Sequence, residues 1–236
     1  MKYSWNFGIL ALLFLIIQLI SGLILSMHYQ SNILDAFNSV EHIVRDINYG
    51  WFLRALHSNG ASFFFLFVYL HLIRGLYYQT YLSSRGLIWS IGILVYFLLM
   101  ASAFLGYVLP WGQMSYWAAT VITNLVTVIP FFGTDLLYWI RGGYSINNAT
   151  LTRFFILHYL LPFLIFFFVI FHIYVLHQIG SSSEVGISSE LFSNINKITW
   201  FFPYYIVKDL FVCLVVLLIF SFFCFFYPEY FNHPDN

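Results

Sequence analysis

Charge is what this sequence has least of. Only 8% of its 236 residues are Asp, Glu, Lys or Arg, against roughly 25% in a soluble globular domain. The formal net charge is zero, so nothing points to nucleic-acid binding through a basic surface. Cysteine is equally scarce. Cys213 and Cys224 lie on one apolar stretch without CxxC spacing, and buried, inert thiols are expected there. The first apolar run is too long for a signal peptide and no small-residue cleavage site follows it, so a cleavable leader is not expected. Low-complexity tracts and composition breaks that would mark a domain boundary are also missing. Aromatic residues, by contrast, are plentiful. The chain has 29 Phe and 18 Tyr and is 61% hydrophobic. One soluble core has no room for that many rings, so the solvent is expected to be lipid.

Five stretches approach the roughly 20 apolar residues that span a bilayer. They are spans A (Phe7–Met27), B (Trp51–Arg74), C (Leu87–Leu109), D (Arg153–His177) and E (Ile206–Tyr227). The fold class is therefore an all-α integral membrane protein, with A–D as a bundle. Residues 1–205 form the expected bundle domain, and residues 206–236 hold the fifth span and the start of the following loop. The C–D connection is long yet apolar ("SYWAATVITNLVTVIPFFG"), which predicts short surface helices rather than a further span. Lys2, Arg74, Arg85, Lys197 and Lys208 share one side with Glu184, Glu190 and Asp209. The other side holds Arg45, Arg54, Arg141 and Arg153 against six acids. This weak bias makes the amino-terminal side the positive-inside face.

Span B reads "LHSNGASFFFLFVYLHLIRG" and buries two histidines, His57 and His71, fourteen residues apart. Fourteen residues cover roughly 21 Å and nearly four helical turns, so both lie on one face near opposite leaflets. Span D repeats the spacing with His158 and His172. B and D are separated by one span and run the same way, so His57 faces His158 and His71 faces His172. Two facing imidazoles at each of two depths suit six-coordinate haem. Buried histidines bonded to neighbours are the plainer alternative. Gly8 and Gly22 on A, and Gly92 and Gly106 on C, are also fourteen apart. They leave room that a Cβ would take, or they simply serve close helix packing. Arg54 and Arg74 sit beside His57 and His71, where a guanidinium fork matches a propionate; snorkelling alone also explains them.

The blocks "WNFG", "RDINYGWFLRALHSNGASFFF", "GYVLPWGQMSYWAATVITNL", "ATLTRFF", "FPYYIVKDL" and the final "PDN" resemble the cytochrome b family, the membrane core of the mitochondrial and bacterial cytochrome bc complex (complex III). The resemblance covers essentially the whole chain. It implies a di-haem subunit of quinol–cytochrome c oxidoreductase with ubiquinone as the second cofactor. His57 and His158 would ligate the low-potential haem, and His71 and His172 the high-potential one. Implied partners are a Rieske iron–sulfur protein, a c-type cytochrome, accessory complex III subunits and lipid, in a dimeric complex of the mitochondrial inner membrane; a bacterial membrane would also serve. The quinone-reducing site of the family matches His177, Asp209, Ser181, Lys208 and Asn6. An imidazole and a carboxylate there could relay protons to a carbonyl, although Asp209 also reads as a helix N-terminal charge. Ile9 replaces a small polar residue usual in the family.

The quinol-oxidising pocket of the family matches Phe104, Tyr107, Met114, Trp117, Ala118 and Ile122. Position 118 is usually glycine, and alanine there is associated with resistance to strobilurin-type inhibitors. Two departures stand out. The family's surface helix before "WNFG" is absent, and so is the later loop with Pro-Glu-Trp-Tyr and the spans that follow it. A separate chain carrying those spans is the expectation. Glu229, in "YPEYF", matches another segment and does not take the glutamate's role. Two further readings stay open: a di-haem transmembrane electron carrier that does not bifurcate quinol electrons, and a proton channel or transporter built on buried histidines.

Overall fold

A computed structural model describes residues 3–181 and 201–236; Lys2, Glu184, Glu190 and Lys197 lie outside the described residues. Every regular element among them is helical. A short turn, Tyr3–Asn6, leads into α1 (Phe7–Ser26). Then come α2 (Ala36–Arg45), α3 (Gly50–Tyr77), α4 (Gly86–Val108), α5 (Gln113–Asn124), α6 (Gly133–Arg141), α7 (Asn148–Ile179) and α8 (Ile206–Phe226). Five of them, α1, α3, α4, α7 and α8, are long and apolar enough to cross a membrane. Spans A to E correspond to these five. α3 and α7 overrun their predicted bounds: α3 by one turn at its carboxyl end, α7 by more than a turn at its amino end.

The extra turn of α7 has a local cause. Asn147 Oδ1 accepts from the N–H groups of Ala149 and Thr150, at 2.9 and 3.3 Å, while Thr150 Oγ1 accepts from the Asn147 N–H at 3.1 Å. This capping box satisfies orphan donors of the first turn. α3 starts at a corner that only glycine fits, since a Cβ on Gly50 would land on the Ile43 carbonyl. Inside α7, Pro162 has no N–H to give the carbonyl four residues back, that of His158.

The spans are apolar all round. Leu218 and Phe226 on α8 are 74% and 70% exposed, so the lateral surface suits hydrocarbon rather than water. Inward packing centres on Phe14 of α1, which is fully buried. Its ring lies 5.5 Å from Phe63, 5.6 Å from Phe67 and 5.0 Å from Phe220, and such pairs add about 0.5–1.5 kcal/mol each beyond burial. α1 lies along α3, and α4 along α7; the two pairs touch each other far less, and α8 packs on α3 and α1. The bundle is thus two helix pairs flanking a gap.

The C–D connection forms the short helices α5 and α6, as its composition predicts. Buried Arg141, at the end of α6, holds them together. Its guanidinium donates to Thr123 Oγ1 (2.9 Å), Asn124 Oδ1 (2.9 Å) and the Thr120 carbonyl (3.0 Å). Residues 228–236 return to the same end of the bundle. The Asp235 carbonyl accepts from the Met114 N–H at 3.0 Å, and Ser115 Oγ donates to Asn236 Oδ1 at 2.6 Å.

Candidate functional site

The gap between the helix pairs holds the four histidines. The rings of His57 and His158 have centroids 6.3 Å apart, and those of His71 and His172 are 6.4 Å apart. Two imidazoles bound trans to one metal through bonds of about 2.0 Å, each ring centre about 1.1 Å behind its nitrogen, have centroids roughly 6.2 Å apart. Both pairs therefore sit at ligating separation. No cluster of three or more His, Cys, Asp or Glu suits a metal among the described residues. A metal held between either pair would have two histidine ligands among the described residues and would need the rest from a bound group such as a macrocycle.

The hydrogen bonds at Nδ1 fix the tautomers of the first pair. Ser21 Oγ donates to the Ile17 carbonyl at 2.6 Å, so toward His57 Nδ1, at 2.8 Å, it accepts. The Ser102 carbonyl lies 2.8 Å from His158 Nδ1 and only accepts. Both rings then carry their proton on Nδ1 and keep the Nε2 lone pair for a metal. The second pair differs. Arg74 Nη2 lies 3.1 Å from His71 Nδ1, and a guanidinium only donates, so ligation through Nε2 requires Arg74 to release that nitrogen. His172 Nδ1 makes no hydrogen bond, although the Ile88 backbone carbonyl approaches the ring.

Each of the four glycines is set against one of these rings. A Cβ on Gly106 would lie 2.5 Å from His158 Cε1, and on Gly22 3.0 Å from His57 Cε1. On Gly92 and Gly8 it would lie 3.2 and 3.3 Å from the Cε1 atoms of His172 and His71. The room the glycines provide is lined by the imidazoles themselves. Beside the first pair opens a cavity of about 500 Å³, lined among others by Arg54, Pro162 and Tyr29. Tyr29 Oη donates to the Leu109 carbonyl at 2.7 Å, tying the end of α1 to the end of α4. Burial pushes this phenol above its usual range, so it remains a donor. Beside the second pair, Ser4 Oγ, Trp5 Nε1 and Arg74 Nε are buried without partners, and the Arg74 guanidinium lies 5.3 Å over the Trp5 ring. The donor set fits a large apolar group with acidic edges.

The other site residues are only partly brought together. Asn6 Nδ2 donates to Asp209 Oδ1, and Lys208 Nζ lies 4.3 Å over the Tyr3 ring beside them. No hydrogen bond or ion pair joins His177 or Ser181 to Asn6 or Asp209 among the described residues; both lie at the exposed end of α7. At the opposite end, Tyr107, Trp117 and Ile122 present exposed surface. Phe104 turns inward onto Phe154, at 5.6 Å, Met114 is held through its backbone, and Ala118 is half-buried.

The cytochrome b/b6/petB family model matches residues 1–180. The chain belongs to the cytochrome b/b6 family. Cytochrome b of Spizellomyces punctatus is 56% identical over 238 residues, covering 100% of this chain and 58% of its own length. Cytochrome b of Rickettsia prowazekii is 52% identical, with the same coverage. A solved hyperthermophilic respiratory Complex III superposes with a TM-score of 0.93 at 37% identity, covering 100% of this chain and 63% of that one. The chain thus spans about three-fifths of the length of these relatives. Sequence reasoning passed over Ser21, Gln18, Tyr29 and Pro162, all of which the cytochrome b fold places around the first pair. Pro162 had a signal, standing four residues after a candidate ligand; the serine, glutamine and tyrosine had none.

Proposed function

We propose that the chain holds two b-type haems, one between His57 and His158 and one between His71 and His172, as the di-haem subunit of a quinol–cytochrome c oxidoreductase. The observation that carries this reading is two imidazole pairs at ligating distance, with no cluster of three or more candidate ligands among the described residues. When bound, a haem supplies a reversible one-electron centre. The two pairs are roughly 21 Å apart along α3, so together they bridge most of a bilayer.

The protein's own groups do the rest. Nε2 of each histidine would bind, and at His57 and His158 the hydrogen bond at Nδ1 orients the ring. Arg54 at the first pair, and Arg74, Trp5 and Ser4 at the second, offer donors to carboxylates. The cluster of Asn6 and Asp209, with Lys208 beside it, marks the quinone-reducing end. There the Asp209 carboxylate, with His177 and Ser181 on the neighbouring helix end, would pass protons to a quinone oxygen. Tyr107, Trp117, Ala118 and Ile122 form one wall of the quinol-oxidising pocket. Ubiquinone, a Rieske protein, a c-type cytochrome and further complex III subunits complete the reading. Residues 1–205 act as the haem-bearing unit and 206–236 as its fifth helix. Relatives in Spizellomyces and in Rickettsia fit a mitochondrial inner membrane or a bacterial one; we propose the mitochondrial membrane.

The test is a reduced-minus-oxidised spectrum of the native assembly, followed by quinol-to-cytochrome c turnover and identification of every co-purifying polypeptide. Two b-type haems per chain, turnover and an iron–sulfur partner are expected. Haem without turnover or an iron–sulfur partner would leave a simple electron carrier, and an assembly with no b-type bands would defeat the proposal.

A further inference from the structure

The fourteen-residue repeat makes the two imidazole pairs near copies, and the copy fails at one place. On α4, Ser102 and Ile88 occupy equivalent positions: the Ser102 carbonyl accepts from His158 Nδ1, and the Ile88 carbonyl approaches the His172 ring. On α1 the equivalents are Ser21 and Phe7. The Ser21 side chain gives His57 an acceptor, whereas the Phe7 side chain has no polar atom to give His71. α1 in fact holds His57 from three positions on one face. Gln18 Nε2 donates to its carbonyl at 3.0 Å, Ser21 Oγ accepts from its Nδ1, and Gly22 leaves room for Cε1. Ser21 is itself almost wholly buried, and its own proton is committed to Ile17. A hydroxyl already donating elsewhere is a polarised, stronger acceptor.

We propose that Ser21 is the positioning residue that lowers the reduction potential of the metal centre at His57 and His158 relative to the centre at His71 and His172. The claim rests on the haem reading above. An acceptor on Nδ1–H raises the basicity of the ligating Nε2. A more basic ligand stabilises the oxidised, more positively charged iron and so lowers its potential. At His71 the neighbour of Nδ1 is instead a guanidinium, which only donates and must withdraw for ligation, so α1 and α3 leave that Nδ1–H without an acceptor. The potential difference between the two depths is on this account written largely into one hydroxyl on α1.

The experiment is a potentiometric titration of both b-type centres in membranes carrying the assembled protein, for wild type, Ser21→Ala and Ser21→Thr. Ser21→Ala removes the acceptor and keeps the volume. Its first-pair midpoint is expected to rise by about a tenfold change in the redox equilibrium, about 59 mV for one electron, with the second pair unmoved. Ser21→Thr keeps a hydroxyl and is expected to titrate as wild type. If Ser21→Ala does not accumulate, Ser21→Cys, a weak acceptor, is titrated in its place with the same expectation. An unchanged first-pair midpoint in the variant that accumulates, or equal shifts at both centres, would overturn the proposal. Failure of the haem reading would look different, because wild type itself would then show no b-type centre to titrate.

Discussion

Adding one methyl group at each of the four glycines should damage the two metal centres unequally. An ordinary Cβ contact begins at 3.4 Å, and a Cβ on Gly106 would sit 2.5 Å from His158 Cε1. The ring would have to retreat by about 0.9 Å, beyond the roughly 0.5 Å tolerance of a site that holds a group in productive geometry. It would also meet Nδ1 and Nε2 at 2.9 and 3.0 Å, so swinging Cε1 aside does not relieve the clash. At Gly8 the corresponding contact is 3.3 Å, and a shift of about 0.1 Å suffices, well inside that tolerance. Gly22 and Gly92, at 3.0 and 3.2 Å, fall between. Overpacking typically costs about 1–3 kcal/mol, and disturbing the groups that position a metal ligand about 10–100-fold in affinity. Gly106→Ala should therefore lose most of the first centre and keep the second, while Gly8→Ala keeps both. The assay is haem content per chain with resolved difference spectra in membranes from the four variants. The reasoning fails if Gly106→Ala retains both centres at wild-type midpoints, or if Gly8→Ala proves the more damaging.

Tyr29→Phe leaves the Leu109 carbonyl without its donor and should cost about 1–3 kcal/mol, read as a lower temperature for loss of the first-pair bands; an unchanged temperature would refute the clamp. The folded phenol is raised above the usual value of about 10, so its contribution is present below that pH. It is lost as pH rises further, because the unfolded state releases its proton first; Tyr29→Phe should flatten that alkaline decline. Arg141→Met keeps length but strands the acceptors on Thr120, Thr123 and Asn124, at a cost of roughly 3 kcal/mol. Faster proteolysis within residues 113–141 is expected, and wild-type resistance would count against the role given to Arg141. Ala118→Gly should strengthen strobilurin inhibition of quinol oxidation by widening the wall beside Trp117, and equal inhibition of both forms would remove residue 118 from that pocket.

The histidine pairing was legible because it depends only on helical rise, helical turn and the direction of two spans, all carried by thirty-odd apolar residues with an imidazole every fourteenth. Nothing about His57 and His158 had to be known beyond their order along α3 and α7. The glycines were legible as a repeat but not in their use. Whether the missing Cβ makes room for a ligand ring or for the group it binds depends on helix rotation, which periodicity leaves free. Ser21 and Tyr29 were illegible for a related reason. A single hydroxyl among apolar residues carries no pattern, and its meaning lies in an acceptor or donor 36 or 80 residues away. The cluster at Asn6 and Asp209 marks a third limit. Asn6 and Asp209 meet although 203 residues separate them, while His177 and Ser181, closer to Asp209 in sequence, stay at the free end of α7. Sequence proximity orders groups along one helix, but across helices it is the packing of α8 on α1 and α3 that decides which polar groups share a site.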